Sequence, residues 1–97
     1  MNAYADFLTA DVRLVLLRLL NEFPGYCANS SVLTMALDRF GHKRSRDQVK
    51  TQLRWLEEQG LVRVEDLDAV LVATLTERGQ DTATGRANVP GVNRPGA

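Results

Sequence analysis

Hydrophobic positions fall into three helical stretches and then two strand-like ones. The longest stretch runs from Ala10 to Glu22. There Val12, Leu14, Val15, Leu16, Leu17, Leu19 and Leu20 are broken only by Arg13 and Arg18, and Thr9 or Asp6 stands where a cap belongs. These side chains point almost all round a helix, more apolar girth than a surface helix needs, so the helix is either central to the core or meets a second chain. Pro24-Gly25 ends it. The polar run Asn29-Ser30-Ser31 offers caps for a second helix carrying Val32, Leu33, Ala36, Leu37 and Phe40, closed by Gly41. After the short link Gly41-His42-Lys43-Arg44, Ser45 and Gln48 have capping-box spacing: the serine oxygen accepts from the amide three residues on, and the glutamine reaches back. The third helix turns Val49, Leu53 and Leu56 inward and stops at Gly60, a residue suited to the left-handed position after a helix.

Beyond Gly60 the period changes to two. Leu61 to Glu65 and Val70 to Leu75 read as strands of a hairpin around Asp66-Leu67-Asp68. Thr76 caps a short helix over 77–83, with Glu77 favourable at the positive end of its dipole and Gly79 weakening its interior. From Gly85 onward Pro90, Gly91, Pro95 and Gly96 leave few apolar residues. The expected divisions are an N-terminal arm over 1–9, a folded domain over 10–84 and a flexible C-terminal tail over 85–97.

With 97 residues, 44% of them hydrophobic, the chain is long enough for one domain with a true core. Cys27 is alone, so no internal disulfide forms, and a single histidine, His42, leaves no four-ligand zinc set. No metal or cofactor is expected. Cys27 reads as a small apolar residue near the second helix and His42 as an exposed turn residue. Trp55 lies off the inward stripe, as a cover for the hairpin or part of a partner site. There is no Gly-x-Ser-x-Gly elbow, phosphate loop, Cys-x-x-Cys pair or histidine cluster, so no catalytic residue is nominated and the protein is not expected to be an enzyme. Without an apolar run of membrane-spanning length or a basic leader, the expectation is a soluble cytoplasmic protein that does not engage a membrane.

Twelve basic and twelve acidic residues cancel, yet between Arg39 and Arg54 six cations face only Asp47, a local excess of five. At about 100° per residue Lys50 lies about 40° and Arg54 about 80° from Arg46, so the three line one flank of the third helix beside its buried stripe. The hairpin is opposite in character: Glu65, Asp66 and Asp68 surround its tip, and Arg63 is its one cation.

The run Gln52-Leu53-Arg54-Trp55-Leu56-Glu57-Glu58-Gln59-Gly60-Leu61-Val62 resembles the recognition-helix exit of bacterial winged-helix regulators, where Leu-x-x-Leu-x-x-x-Gly-Leu-Val recurs. Ala73-Thr74-Leu75-Thr76-Glu77-Arg78-Gly79 is similar to their exit from the wing, and the likeness covers about residues 10 to 85. The whole chain further resembles a family of short proteins of Mu-like phages and prophages, in Asp6-Phe7-Leu8, Arg13-Leu14-Val15, Pro24-Gly25-Tyr26, Leu56 to Val62, and Val89-Pro90-Gly91-Val92-x-Arg94-Pro95. The resemblance implies an α+β, mostly α fold, a winged helix-turn-helix with three helices, a two-stranded wing and a short C-terminal helix. It implies no particular biochemical role.

In a helix-turn-helix the start of the recognition helix enters the major groove, which places Arg46, Asp47, Lys50 and Thr51 near base edges and Arg39, Lys43, Arg44 and Arg54 near phosphates. Two readings stay open. One is a homodimeric, phage- or prophage-encoded DNA-binding protein, a transcriptional regulator or DNA-associated factor in the bacterial cytoplasm, paired through helix 10–22 or the C-terminal region. The other is an assembly or adaptor protein that uses the scaffold to bind a phage protein and not DNA, favoured by the acidic hairpin and the neutral total charge.

Overall fold

A computed structural model describes residues 2–96. Its first helix, α1, spans Ala3–Glu22 and starts seven residues before the apolar period does. The Asn2 side chain accepts from the amides of Tyr4 and Ala5 at 3.0 and 3.2 Å, which satisfies the free end of the helix. Tyr4 and Phe7 are exposed on these first turns, so the inward stripe is missing where the helix nonetheless continues. The expected arm over 1–9 is thus largely helix.

A 3-10 turn at Pro24–Tyr26 leads into strand β1, Cys27–Asn29, and helix α2 covers Ser30–Arg39 with Asn29 as its cap. Helix α3, Arg46–Glu58, carries the complete capping box of Ser45 and Gln48. Strands β2, Val62–Leu67, and β3, Val70–Leu75, form the hairpin, and α4 spans Glu77–Ala83 behind the Thr76 cap. The strands run on to Leu67, which pairs with Val70, so the turn is Asp68-Ala69 rather than Asp66-Leu67-Asp68. Asp68 takes the left-handed φ of 55° that closes it, a conformation aspartate tolerates better than leucine.

The sheet has three strands in the order β1-β3-β2, all antiparallel, and β1 was not legible in the sequence. Three residues are too few to show an alternation, and their pairing with Val72, Ala73 and Thr74 joins segments far apart in the chain. Cys27 is therefore a half-buried strand residue beside Thr74. The architecture is a winged helix-turn-helix: α2 and α3 form the helix pair, and β2-β3 is the wing.

The girth of α1 is explained inside the chain. Val12, Leu14, Leu16, Leu17 and Leu20 are buried, with Val15 and Leu19 packed at the margin of the same core, against α2, α4 and β3. A further side is covered by the segment expected to be a flexible tail. Val89 and Val92 are buried, the Val92 amide donates to the Val89 carbonyl at 3.1 Å, and the Asn93 amide donates to the Ala10 carbonyl at 3.2 Å. Pro90-Gly91 makes a turn that brings both valines to the core side, which composition alone hides. Val92→Ala is expected to cost about 1–2 kcal/mol, in proportion to the two buried carbons removed, measured by urea unfolding. A tail that contributes nothing would leave the midpoint unmoved.

Candidate nucleic-acid interface

Val49, Leu53 and Leu56 are fully buried, which fixes the rotation of α3 about its axis and leaves the basic flank outward. The eight nominated residues then divide. Arg39 closes α2, Lys43 and Arg44 sit in the α2–α3 turn, and Arg46 opens α3. Arg39, Lys43 and Arg46 are exposed and Arg44 half-buried, and among the described residues none of the four has a hydrogen-bonded or ion-paired partner. Arg39, Lys43 and Arg44 line an open concavity of about 610 Å³ beside Thr34, Met35 and Asp38. Cations with no bonded counter-ion among the described residues, gathered around the α2–α3 turn and the N-terminus of α3, whose own amides favour anions, make a surface suited to a phosphate backbone.

Of the other four, Lys50, Thr51 and Arg54 are engaged. Thr51 turns its hydroxyl back to the Asp47 carbonyl at 3.1 Å. Asp47 itself is exposed in the first turn, where its carboxylate suits the dipole. Lys50 does not pair with Asp47; its Nζ donates to the Ala69 carbonyl in the wing turn at 2.7 Å. Arg54 bridges Glu57 and Asp66 at 3.1 and 3.4 Å. The ridge is thus basic along its whole length but open only at its N-terminal end.

Two features behind this surface correct the sequence reading. His42 is buried, not exposed, at 8% accessibility, with Nε2 2.7 Å from Asp11 Oδ2 on α1. Gly41, at a φ of 84°, reverses the chain after α2, and the His42 amide donates to the Leu37 carbonyl at 3.2 Å, closing the reversal with the imidazole toward α1. The turn that carries Lys43 and Arg44 is anchored this way to the core. His42→Ala is expected to cost about 1–2 kcal/mol by stranding a half-buried carboxylate and loosening the turn, read as a lower denaturation midpoint. A midpoint equal to that of the parent protein would show that the contact holds nothing.

Trp55 is half-buried at the margin of the core, and what lies on its ring is neither foreseen candidate but a cation from α1. The Arg13 guanidinium lies over its ring, 3.7 Å from the centroid, and also donates to Gln52 Oε1 at 2.8 Å and to the Gly91 carbonyl at 3.0 Å. Burial lowers the Arg13 pKa from its ordinary value, with Asp6 opposing, but an arginine remains a cation in protein conditions. Gly91, at a φ of 94°, lies so close to the indole that a Cβ there would sit 2.8 Å from Cζ2. One cation thereby joins α1, α3 and the C-terminal segment. No local spacing connects Arg13, Trp55 and Gly91.

The helix pair, the three-stranded sheet and the hairpin beside α3 define a winged helix-turn-helix protein. No family model matches the chain. It is 54% identical over 90 residues to the uncharacterized protein gp26 of Escherichia phage Mu, covering 93% of each chain. It is 49% identical over 77 residues to an uncharacterized protein of Haemophilus influenzae, covering 78% of this chain and 74% of that one. The chain belongs to the family of phage Mu gp26. Among solved structures it is similar to AbsC, a MarR family transcriptional regulator from Streptomyces coelicolor, with a TM-score of 0.61 and 28% identity. That match takes in 73% of this chain but 47% of AbsC, so the chain spans about half the length of the regulator. No described helix is long and apolar enough to cross a membrane.

Proposed function

We propose that this protein binds duplex DNA through the start of α3 and the α2–α3 turn, as a phage- or prophage-encoded regulator or DNA-associated factor in the bacterial cytoplasm. The observation that carries the reading is that Arg39, Lys43, Arg44 and Arg46, around the α2–α3 turn and the start of the helix that winged-helix proteins present to the major groove, have no bonded counter-ion among the described residues. Arg46, Asp47, Lys50 and Thr51 lie toward base edges in this reading, and Arg39, Lys43, Arg44 and Arg54 toward phosphates. Likeness to a transcriptional regulator supports it. The protein acts by binding and not by catalysis.

The test is the anisotropy of labelled mixed-sequence duplex titrated at about 50 and about 200 mM salt, a range over which several phosphate contacts cost orders of magnitude in affinity. Micromolar binding that collapses with salt is the expected result. No binding at the lower salt would turn the case to the second reading, an assembly or adaptor protein that engages a phage-encoded partner. That reading draws on the exposed Glu65, Asp66 and Asp68 of the wing, which a DNA backbone repels.

A homodimer is part of the proposal. The C-terminal segment packs on its own chain, so the pairing falls to the outer face of α1, where Tyr4 and Phe7 are exposed and Val15, Leu19 and Phe40 line a cleft. Sedimentation at tens of micromolar is expected to give twice the chain mass, and a monomer would contradict the pairing.

A further inference from the structure

We infer that the acidic wing is an intramolecular occupant of the recognition helix, a latch that holds Lys50 and Arg54 until DNA displaces it. This rests on the DNA-binding reading and concerns the regulation of the same surface. The Lys50 ammonium donates to the Ala69 carbonyl at the tip of the hairpin at 2.7 Å, and Arg54 Nη2 lies 3.4 Å from Asp66 Oδ2 on β2. The four cations nearer the turn have no such partner among the described residues. Along one helix flank, the open half therefore ends where the wing begins.

Charge explains both halves of the behaviour. Glu65, Asp66 and Asp68 make the wing a poor match for a phosphate backbone, so it does not grip DNA in the way a basic hairpin would. Of these carboxylates Asp66 reaches α3, where it pairs with Arg54, and the Ala69 carbonyl takes Lys50. For Lys50 to meet a base edge or Arg54 a phosphate, it must first give up a partner in its own chain, so each of these contacts is an exchange, whereas contacts from Arg39, Lys43, Arg44 and Arg46 are net additions. The groups involved are exposed, with side-chain accessibilities of 47% for Arg54 and 66% for Asp66, and ion pairs in that setting are weak. The latch accordingly lowers DNA affinity severalfold and does not abolish it. Its effect is greatest on non-specific binding, which depends most directly on the number of phosphates neutralised.

The test uses three substitutions in the full chain, each titrated against the same mixed-sequence duplex over a range of salt. Asp66→Asn removes the wing's hold on Arg54, which keeps its pair with Glu57 on its own helix, and is expected to raise affinity about two- to fivefold, the range of a surface ion pair, and to steepen the logarithmic salt slope by up to about one, the value for one added phosphate contact. Glu65→Gln removes the same charge from the neighbouring residue, which makes no bond to α3, and is expected to leave the slope unchanged. In an Arg54→Ala background, Asp66→Asn is expected to bring no gain. Equal slopes for Asp66→Asn and the parent, or a gain that persists without Arg54, would overturn the latch while the DNA reading stands. If neither the parent protein nor any variant binds at low salt, the DNA reading fails and takes the latch with it.

Discussion

Gly79→Ala is expected to destabilise the fold by about 3 kcal/mol, at the upper end of what overpacking usually costs. In an isolated helix the same change stabilises by about 1 kcal/mol, because glycine has the greater backbone freedom to lose. Gly79 is the third residue of α4, and the short helix is held so closely to the start of β2 that a Cβ would fall on the Leu61 carbonyl oxygen and 2.7 Å from Leu75 Cδ1. Neither neighbour yields easily. The Leu61 carbonyl accepts from the Thr76 amide at 3.1 Å and its side chain is fully buried, while Leu75 belongs to the core. Relief requires α4 to lift, which disturbs the Thr76 cap on the Gly79 amide and the packing of α4 on α1. Urea unfolding should show a lower midpoint with an unchanged slope. A midpoint raised by the substitution would mean that α4 behaves as a free helix.

The triple substitution Lys43→Ala, Arg44→Ala and Arg46→Ala is expected to weaken binding to duplex DNA by about two to three orders of magnitude near 0.1 M salt. The logarithmic salt slope should fall by about 1.8, at about 0.9 for each of the two phosphates that Lys43 and Arg44 no longer neutralise, while the loss of Arg46 removes a contact to a base edge. These side chains are at or near the surface and have no bonded partners among the described residues, so the fold should be unaffected and its circular dichroism unchanged. Arg54→Ala should do far less, since Glu57 and Asp66 already neutralise that side chain. Equal losses of affinity from Arg54→Ala and from any one member of the triple would spread the DNA contact along the whole ridge instead of its open end.

Much of the chain is legible from its residues. The capping box of Ser45 and Gln48, the Asn29 and Thr76 caps, the left-handed Gly60 at a φ of 76° and the inward stripe of Val49, Leu53 and Leu56 all stand where the residue types place them. So does the hairpin, apart from its turn. The basic ridge is also visible in the sequence, as the local excess of cations between Arg39 and Arg54. Which of its cations are open is not, because the wing contacts of Lys50 and Arg54 come from residues 12 to 19 positions away, beyond the local Arg54–Glu57 pair. Two misreadings, the arm and the tail, share a cause. Both segments lack an apolar period of their own, and each is ordered by something composition does not register: a single Asn2 cap for the start of α1, and two valines around a Pro-Gly turn for the end of the chain.

Caps, helix periods and turn residues act over three or four positions, through hydrogen bonds and side-chain spacing that any chain with these residues would share, so the order of helices and strands follows from the residues alone. The partners of His42, Trp55, Lys50 and Gly79 do not. Asp11 lies 31 positions from His42, and Arg13 lies 39 from Gln52 and 78 from Gly91. Interactions of that reach form only once the core has fixed the relative placement of α1, α3 and the sheet, since the loop entropy they require is offset by burial elsewhere in the molecule. The packed fold therefore decided that two valines of a flexible-looking tail are part of the core, that a helix-weakening glycine sits where a Cβ has no room, and that Lys50 and Arg54 of the basic ridge are bonded to the wing.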